Sequence, residues 1–305
     1  MPVTIPFVRE HEVSYGAVDR LSPLVRRITA KNPGPFTYKG TGTYVIGTGE
    51  VAVIDPGPTD EAHIEALLAA TAGETITHLV ITHTHGDHSP AARALKEHTG
   101  APTYGFGPHP ALARQAELSL RDEERQEERS DVDFAPDIAV VDGDVIKGTG
   151  WTLEAVYTPG HISNHVCYAL GEEKILFTGD HIMGWSTTVL PAPDGNLADY
   201  LASMAKLLPR PETLFVPTHG PAIADPRPLI EALVAHRHER TEQILAALHA
   251  GITKIDDMVP AMYVDLDPKL VKAAGASVSA HLLQLSRDGA VRIDGDGRQA
   301  DFHLT

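Results

Sequence analysis

Cysteine is nearly absent: Cys167 stands alone in 305 residues. No internal disulfide can form, which fits a reducing compartment, and within VCYAL the thiol is expected to pack as a small hydrophobe. Long apolar runs are missing too. No segment approaches the ~20 apolar residues that span a bilayer, and the opening MPVTIPFVREHEVSYG has no basic stretch followed by an apolar one. Neither membrane insertion nor export is expected, and a cytoplasmic location is. Positive charge is short as well. Lys and Arg number 25 against 41 Asp and Glu, a formal net charge of −16, which on average repels polyanions such as duplex DNA. No internal repeat is evident. What remains is an ordinary globular composition, 42% hydrophobic, long enough for a full core and a second small domain.

Histidine is what the chain does have, 17 in all. Four ligand-type side chains, His83, His85, Asp87 and His88, crowd into THTHGDH directly after the β-branched run Leu79, Val80, Ile81, which reads as a short buried strand. Imidazole nitrogens and carboxylate oxygens suit zinc and similar divalent ions, and a tight turn at Gly86 can aim several of them at one point. The plain alternative is an exposed polar loop. It is outweighed because later segments offer the missing ligand types: TPGH ending at His161, GDH with Asp180 and His181, and THG around His219. Each follows an apolar run and carries a Gly beside the ligand-type residue.

In chain order, TGTYVIGTGEVAVIDPG reads as a hairpin of Tyr44–Ile46 and Val51–Ile54 that ends at Asp55. A helix over 60–70, a strand over 76–81, a helix over 91–98 and a strand over 102–106 follow, the alternation of an α/β sheet covered by helices. Residues 108–136 read as a partly helical, mobile excursion, with the charged run Arg121–Arg129 as solvated surface. Strands return from Ile138 to Tyr157. After Pro228 one long helix places Leu229, Leu233, Arg237, Ile244, Leu245 and Leu248 near one face. Two more helices, 255–263 and 269–286, and a final hairpin complete the order of a winged-helix unit.

The combination of His83-x-His85-x-Asp87-His88 with His161, Asp180 and His219, each in its own strand-end loop, resembles the metallo-β-lactamase superfamily over about three quarters of the chain. That resemblance implies an αββα sandwich in residues 1–235 and leaves 236–305 as a small C-terminal winged-helix domain. The tail AHRHERTEQIL is similar to the subgroup of the β-lactamase-like protein 2 endoribonucleases. By position, the resemblance implies that His83, His85 and His161 hold one zinc, that Asp87, His88 and His219 hold a second, and that Asp180 bridges them. His85 stands where the redox-active di-iron relatives carry glutamate, which favours zinc and hydrolysis. Two departures are notable: Ser89-Pro90-Ala91 replaces a frequent Gly-Gly, and His181 is not a family-wide feature.

Such a ligand set leaves room for water, the mark of a catalytic site, and a hydroxide shared by two ions is a nucleophile at neutral pH. Asp87 would also orient it. Asp55 is the candidate acceptor for the outward nitrogen of a ligating histidine, or else it caps its own turn. His165 reads either as a proton donor to a leaving group or as a buried residue behind the ligands. His181 is a candidate for the mouth of the site, and Trp185 for a substrate wall, whereas Tyr200 reads as core.

The expected function is hydrolysis of a small ester, thioester, lactone or related substrate. Single-stranded RNA cleavage is the alternative suggested by the tail, although residues 240–305 hold seven Lys or Arg against nine Asp or Glu. A dedicated β-lactamase fits less well, because secretion is not expected and a bridging aspartate is unusual in antibiotic-degrading members. A metal-stabilised winged-helix binding module without catalysis is the reading from another class. In this fold the winged unit can equally shape a substrate pocket or a homo-oligomer surface.

Overall fold

The computed structural model describes residues 3–111, 130–264, 266–295 and 299–305. The charged run 121–129 and most of the 108–136 excursion fall outside them. Two sheets form the centre. One has seven strands side by side in chain order, β1 (Val18–Arg20), β2 (Val25–Thr29), β3 (Gly42–Ile46), β4 (Glu50–Ile54), β5 (Thr75–Val80), β6 (Thr103–Gly105) and β7 (Ile138–Ala139). The other has six, β8 (Val145–Gly148), β9 (Trp151–Tyr157), β10 (Val166–Leu170), β11 (Ile175–Gly179), β12 (Leu214–Pro217) and β13 (Ile223–Ala224). Strands buried on both faces feed alternate side chains to two different cores. In β3 and β4, Tyr44, Ile46, Ala52 and Ile54 point inward to meet Trp151, Leu153, Tyr168 and Phe177 of the facing sheet. Val45, Val51 and Val53 point outward onto Leu67 and Leu95 of helices Glu61–Ala70 and Ala91–Thr99. The second sheet repeats this logic: Cys167, Leu176 and Phe215 pack against helices Leu197–Leu207 and Arg227–His249. Helix, sheet, sheet, helix is the αββα sandwich expected from the resemblance.

Cys167 behaves as expected, fully buried with its thiol pushed up to about 12 by burial. The strands β1 and β2 have no counterpart among the sequence expectations. Their charged residues hide the pattern, yet Arg26 and Arg27 are buried, held by Glu74 at 2.7 Å and by Asp19 at 2.6 Å.

Helices Arg227–His249, Ile255–Met262 and Val271–Arg287 and the hairpin β14 (Val291–Asp294)–β15 (Asp301–Leu304) make the C-terminal unit. The long helix runs straight through position 235/236. Leu229, Ile230 and Leu233 belong to the sandwich core, while Ile244 and Leu248 belong to a separate C-terminal core with Met258, Val278, Leu282 and Phe302. Among the described residues no helix is long and apolar enough to cross a membrane.

Candidate metal centre

Parallel pairing of β4 with β5, and of β11 with β12, brings like strand ends to one edge. The loops leaving β5, β9, β11 and β12 carry the ligand-type residues. All seven converge there. His83, His85, His161 and Asp180 form one group, and Asp87, His88 and His219 form a second, with donor atoms in each within 4.8 Å of one another. Asp180 faces both: its Oδ2 lies 3.9 Å from His161 Nε2 and 3.6 Å from His88 Nε2, and its Oδ1 lies 3.4 Å from His219 Nε2. Two glycines permit this approach. A Cβ on Gly179, at φ +50°, would lie 2.5 Å from His165 Nε2, and one on Gly160 would lie 2.4 Å from the Tyr200 Cα.

The first group contains a donor–acceptor conflict. His85 Nδ1 meets His83 Nε2 at 2.9 Å and His161 Nε2 at 3.0 Å. Three ring nitrogens aimed at one point cannot all satisfy one another, because each contact needs one donor and one acceptor. A cation at their centre removes the conflict, and tetrahedral zinc at its usual bond lengths spaces nitrogens by about 3.3 Å. In the second group His88 Nε2 and His219 Nε2, and beside them Asp180 Oδ1, are buried without a hydrogen-bond partner among the described residues. The residues present therefore fit a pair of divalent ions.

The outward nitrogens are held, as ligating imidazoles require. His88 Nδ1 donates to Asp55 Oδ2 at 2.9 Å, His161 Nδ1 to the Val189 carbonyl at 2.6 Å and His219 Nδ1 to the Gly40 carbonyl at 3.3 Å, while His83 Nδ1 pairs with Thr82 Oγ1 at 3.1 Å. Asp55 is the hub. It sits at φ +48° just after β4, and its carboxylate also accepts from the Thr82 amide and hydroxyl at 2.8 Å and from the Thr218 hydroxyl at 3.0 Å. It thus ties the two sheets together beneath the site.

Electrostatics divide the two groups. Burial opposes charge on every histidine, but Asp87, Asp180 and Asp55 hold His88 well above its usual range, and Asp180 and Asp87 lift His219 to about 10. Burial, reinforced by neighbouring histidines, keeps His83 and His85 well below theirs. Against the cost of burial, His88 and His219 in turn hold Asp87 and Asp180 as carboxylates. Such a field attracts cations.

His165 Nε2 accepts the Asp180 amide at 3.2 Å and its Nδ1 meets Thr158 Oγ1 at 3.0 Å. Neither ring nitrogen is left for a leaving group, so of the two readings the buried brace is the one the geometry carries. His181 is fully buried, with its ring 4.7 Å from that of Tyr200, and does not line a mouth. Its strand-end position resembles that of a ligand, but the side chain turns into the core. Trp185 stacks on Tyr38 at 4.6 Å and would meet a Cβ on Gly220, the residue after His219. One participant escapes sequence reasoning: Thr41, whose hydroxyl donates to Asp87 Oδ2 at 2.7 Å. It lies at the start of the first hairpin, and no motif marks it.

A family model described as the metallo-beta-lactamase superfamily matches residues 39–219, and one described as the beta-lactamase associated winged helix domain matches 255–299. The chain is 33% identical over 284 residues to a Beta-lactamase-like protein 2 homolog of Caenorhabditis elegans, covering 90% of this chain and 88% of the other. It is 31% identical over 256 residues to an Atrochrysone carboxyl ACP thioesterase of Claviceps purpurea, covering 81% and 74%. Among solved structures, a metallo-beta-lactamase family protein from Thermus thermophilus aligns over 94% of this chain and all of its own, with a TM-score of 0.73 and 24% identity. A beta-lactamase domain protein from Burkholderia ambifaria aligns over 99% and 97%, with a TM-score of 0.75 and 19% identity. Both support the fold.

Proposed function

The chain belongs to the metallo-beta-lactamase superfamily as one of its hydrolases, and from that premise we propose that it is a dinuclear zinc enzyme acting on small thioesters and esters. The observation that carries this reading is the convergence of seven ligand-type side chains from four loops, with Asp180 facing both groups. His83, His85 and His161 would hold one ion and Asp87, His88 and His219 the other, with Asp180 placed to serve both. Bound there, the pair supplies Lewis acidity toward a carbonyl oxygen and acidifies water to a pKa of about 7.

The chain's own residues do the rest. Asp87, steadied by Thr41, orients the attacking water. Asp55, the Val189 and Gly40 carbonyls and Thr82 fix the imidazole rings, so little reorganisation is needed when charge develops. Thioesters are favoured because relatives at about a third identity carry thioesterase names. The C-terminal unit's net negative charge counts against RNA.

The test is metal analysis of the purified protein combined with assays on acyl-N-acetylcysteamine thioesters, p-nitrophenyl esters, a chromogenic lactam and short single-stranded RNA. Two zinc equivalents and chelator-sensitive thioester turnover are expected. Fewer than two equivalents, or RNA as the best substrate, overturns the reading.

A further inference from the structure

One charge in the interior has no evident reason to be there. Arg237, in the middle of helix Arg227–His249, is 1% exposed. Among the described residues its partners are the Thr188 carbonyl, the Ser277 hydroxyl at 3.4 Å and the face of the Tyr200 ring at 5.0 Å, none of them a carboxylate. Removing a guanidinium from water is costly when no anion answers it, and an apolar side chain of similar volume is commonly as stable or more so. Packing alone therefore gives no reason for arginine here.

The Thr188 carbonyl supplies one. Thr188 is itself buried, and its hydroxyl donates to the Asp180 carbonyl at 2.7 Å and to the His181 carbonyl at 3.0 Å. The next carbonyl, Val189, receives His161 Nδ1–H at 2.6 Å. The peptide that Arg237 grips is thus the one whose hydroxyl fixes the Asp180 backbone and whose neighbour sets the His161 ring. Ser277, from helix Val271–Arg287, meets the same guanidinium.

We propose that Arg237 is a positioning residue: through Thr188 and Val189 it clamps Asp180 and His161, making the C-terminal helices part of the metal centre. The proposal rests on the two-metal reading above. It gives the C-terminal unit a role that needs no nucleic acid.

The test uses the full-length protein and four variants, Arg237→Met, Arg237→Lys, Thr188→Val and Thr188→Ser. Zinc affinity is measured by competition with a chromophoric chelator, ligand geometry by the visible spectrum of the cobalt-substituted protein, and turnover on a thioester. Arg237→Met is expected to unfold as cooperatively as the parent yet to bind one zinc about 10-fold more weakly, the low end of what losing a direct partner of a ligand costs, because Arg237 acts one bond further out. The cobalt spectrum shifts, and kcat falls while KM holds. Thr188→Val reproduces this. Arg237→Lys and Thr188→Ser, which keep a donor in place, recover part of it. A folded Arg237→Met protein with parental zinc affinity and cobalt spectrum overturns the clamp. Should that variant not fold, parental values in Thr188→Val overturn it equally. A parent that binds fewer than two zinc ions defeats the two-metal reading and the clamp with it, so the two failures are told apart by the parent alone.

Discussion

Among the described residues, two of the buried clusters of basic side chains behave in opposite ways. At the strand ends, His88 and His219 both face Asp87 and Asp180, with Asp55 on His88 as well, and the carboxylates raise both histidines despite burial. Behind them, around Arg237, the histidines face no carboxylate strong enough to answer burial. His181 is pushed down to about 3 by burial, His161 and Arg237, His281 to about 3 by burial and Arg237, and His236 to about 4 by burial, Arg237 and Arg240. The lesson is that burial alone makes histidine neutral, and that paired acids turn the same side chain into a cation site. The first cluster is built to receive positive charge. The second accommodates the Arg237 guanidinium and keeps its histidines neutral.

Removing the acid that both halves of the first cluster share is the harshest way to break this contrast. Asp180→Ala is expected to lose both metals and to lower turnover by at least ~10³-fold, measured as zinc per chain beside thioester hydrolysis. Full metal content with persistent turnover defeats the assignment of Asp180 to both ions. A milder cut is Asp55→Asn. Four donors now reach the Asp55 carboxylate, and an amide keeps one acceptor oxygen and adds an N–H where acceptors are needed. The expected loss is about 10- to 100-fold in affinity for the zinc held by His88, with roughly 2 kcal/mol of stability from the unmade buried hydrogen bonds. Chelator competition and urea unfolding on the same samples separate the two. An unchanged affinity would mean that Asp55 serves the sheets and not the site.

The two clusters are also unequally legible. The first announces itself in sequence because each ligand-bearing loop follows an apolar run and carries a glycine, so chemistry and backbone point to the same positions. Even Asp55 is visible, since IDPG ends a strand at the level of THTHGDH. The second offers one faint sign, an arginine in an otherwise apolar stripe with Leu229, Leu233, Ile244 and Leu248. Its meaning lies in Thr188, 49 residues away, and periodicity carries no information about such a partner. The same limit hides Val18–Arg20 and Val25–Thr29, where Asp19 and Glu74 bury two arginines that the local pattern assigns to solvent. It also explains His181, whose motif position resembles a ligand although Tyr200 and His165 enclose the ring. Local signals disclose elements and motifs. Buried charges are decided by residues distant in the chain.

The smallest effect tests the neutral cluster by acid. His281 is 1% exposed, with Nδ1 on Thr241 Oγ1 at 2.9 Å. Burial and Arg237 hold its folded pKa at about 3, below the ordinary histidine value of 6.5. Between those values the unfolded chain binds a proton that the folded chain refuses, so stability falls as pH drops from 6.5 toward 3 and is untouched above that window. His281→Met keeps an unbranched side chain in the core, leaves Thr241 its bond to the Arg237 carbonyl at 3.2 Å, and removes the titrating group. The stabilities of parent and variant should therefore run parallel from about pH 8 to about pH 7. Between about pH 6 and about pH 5 the variant should lose about 1 kcal/mol less, the amount that follows when only the unfolded state takes the proton. Urea unfolding at each pH provides the measurement. Equal losses across the acid range would place a compensating anion near His281 and erase the distinction between the two clusters.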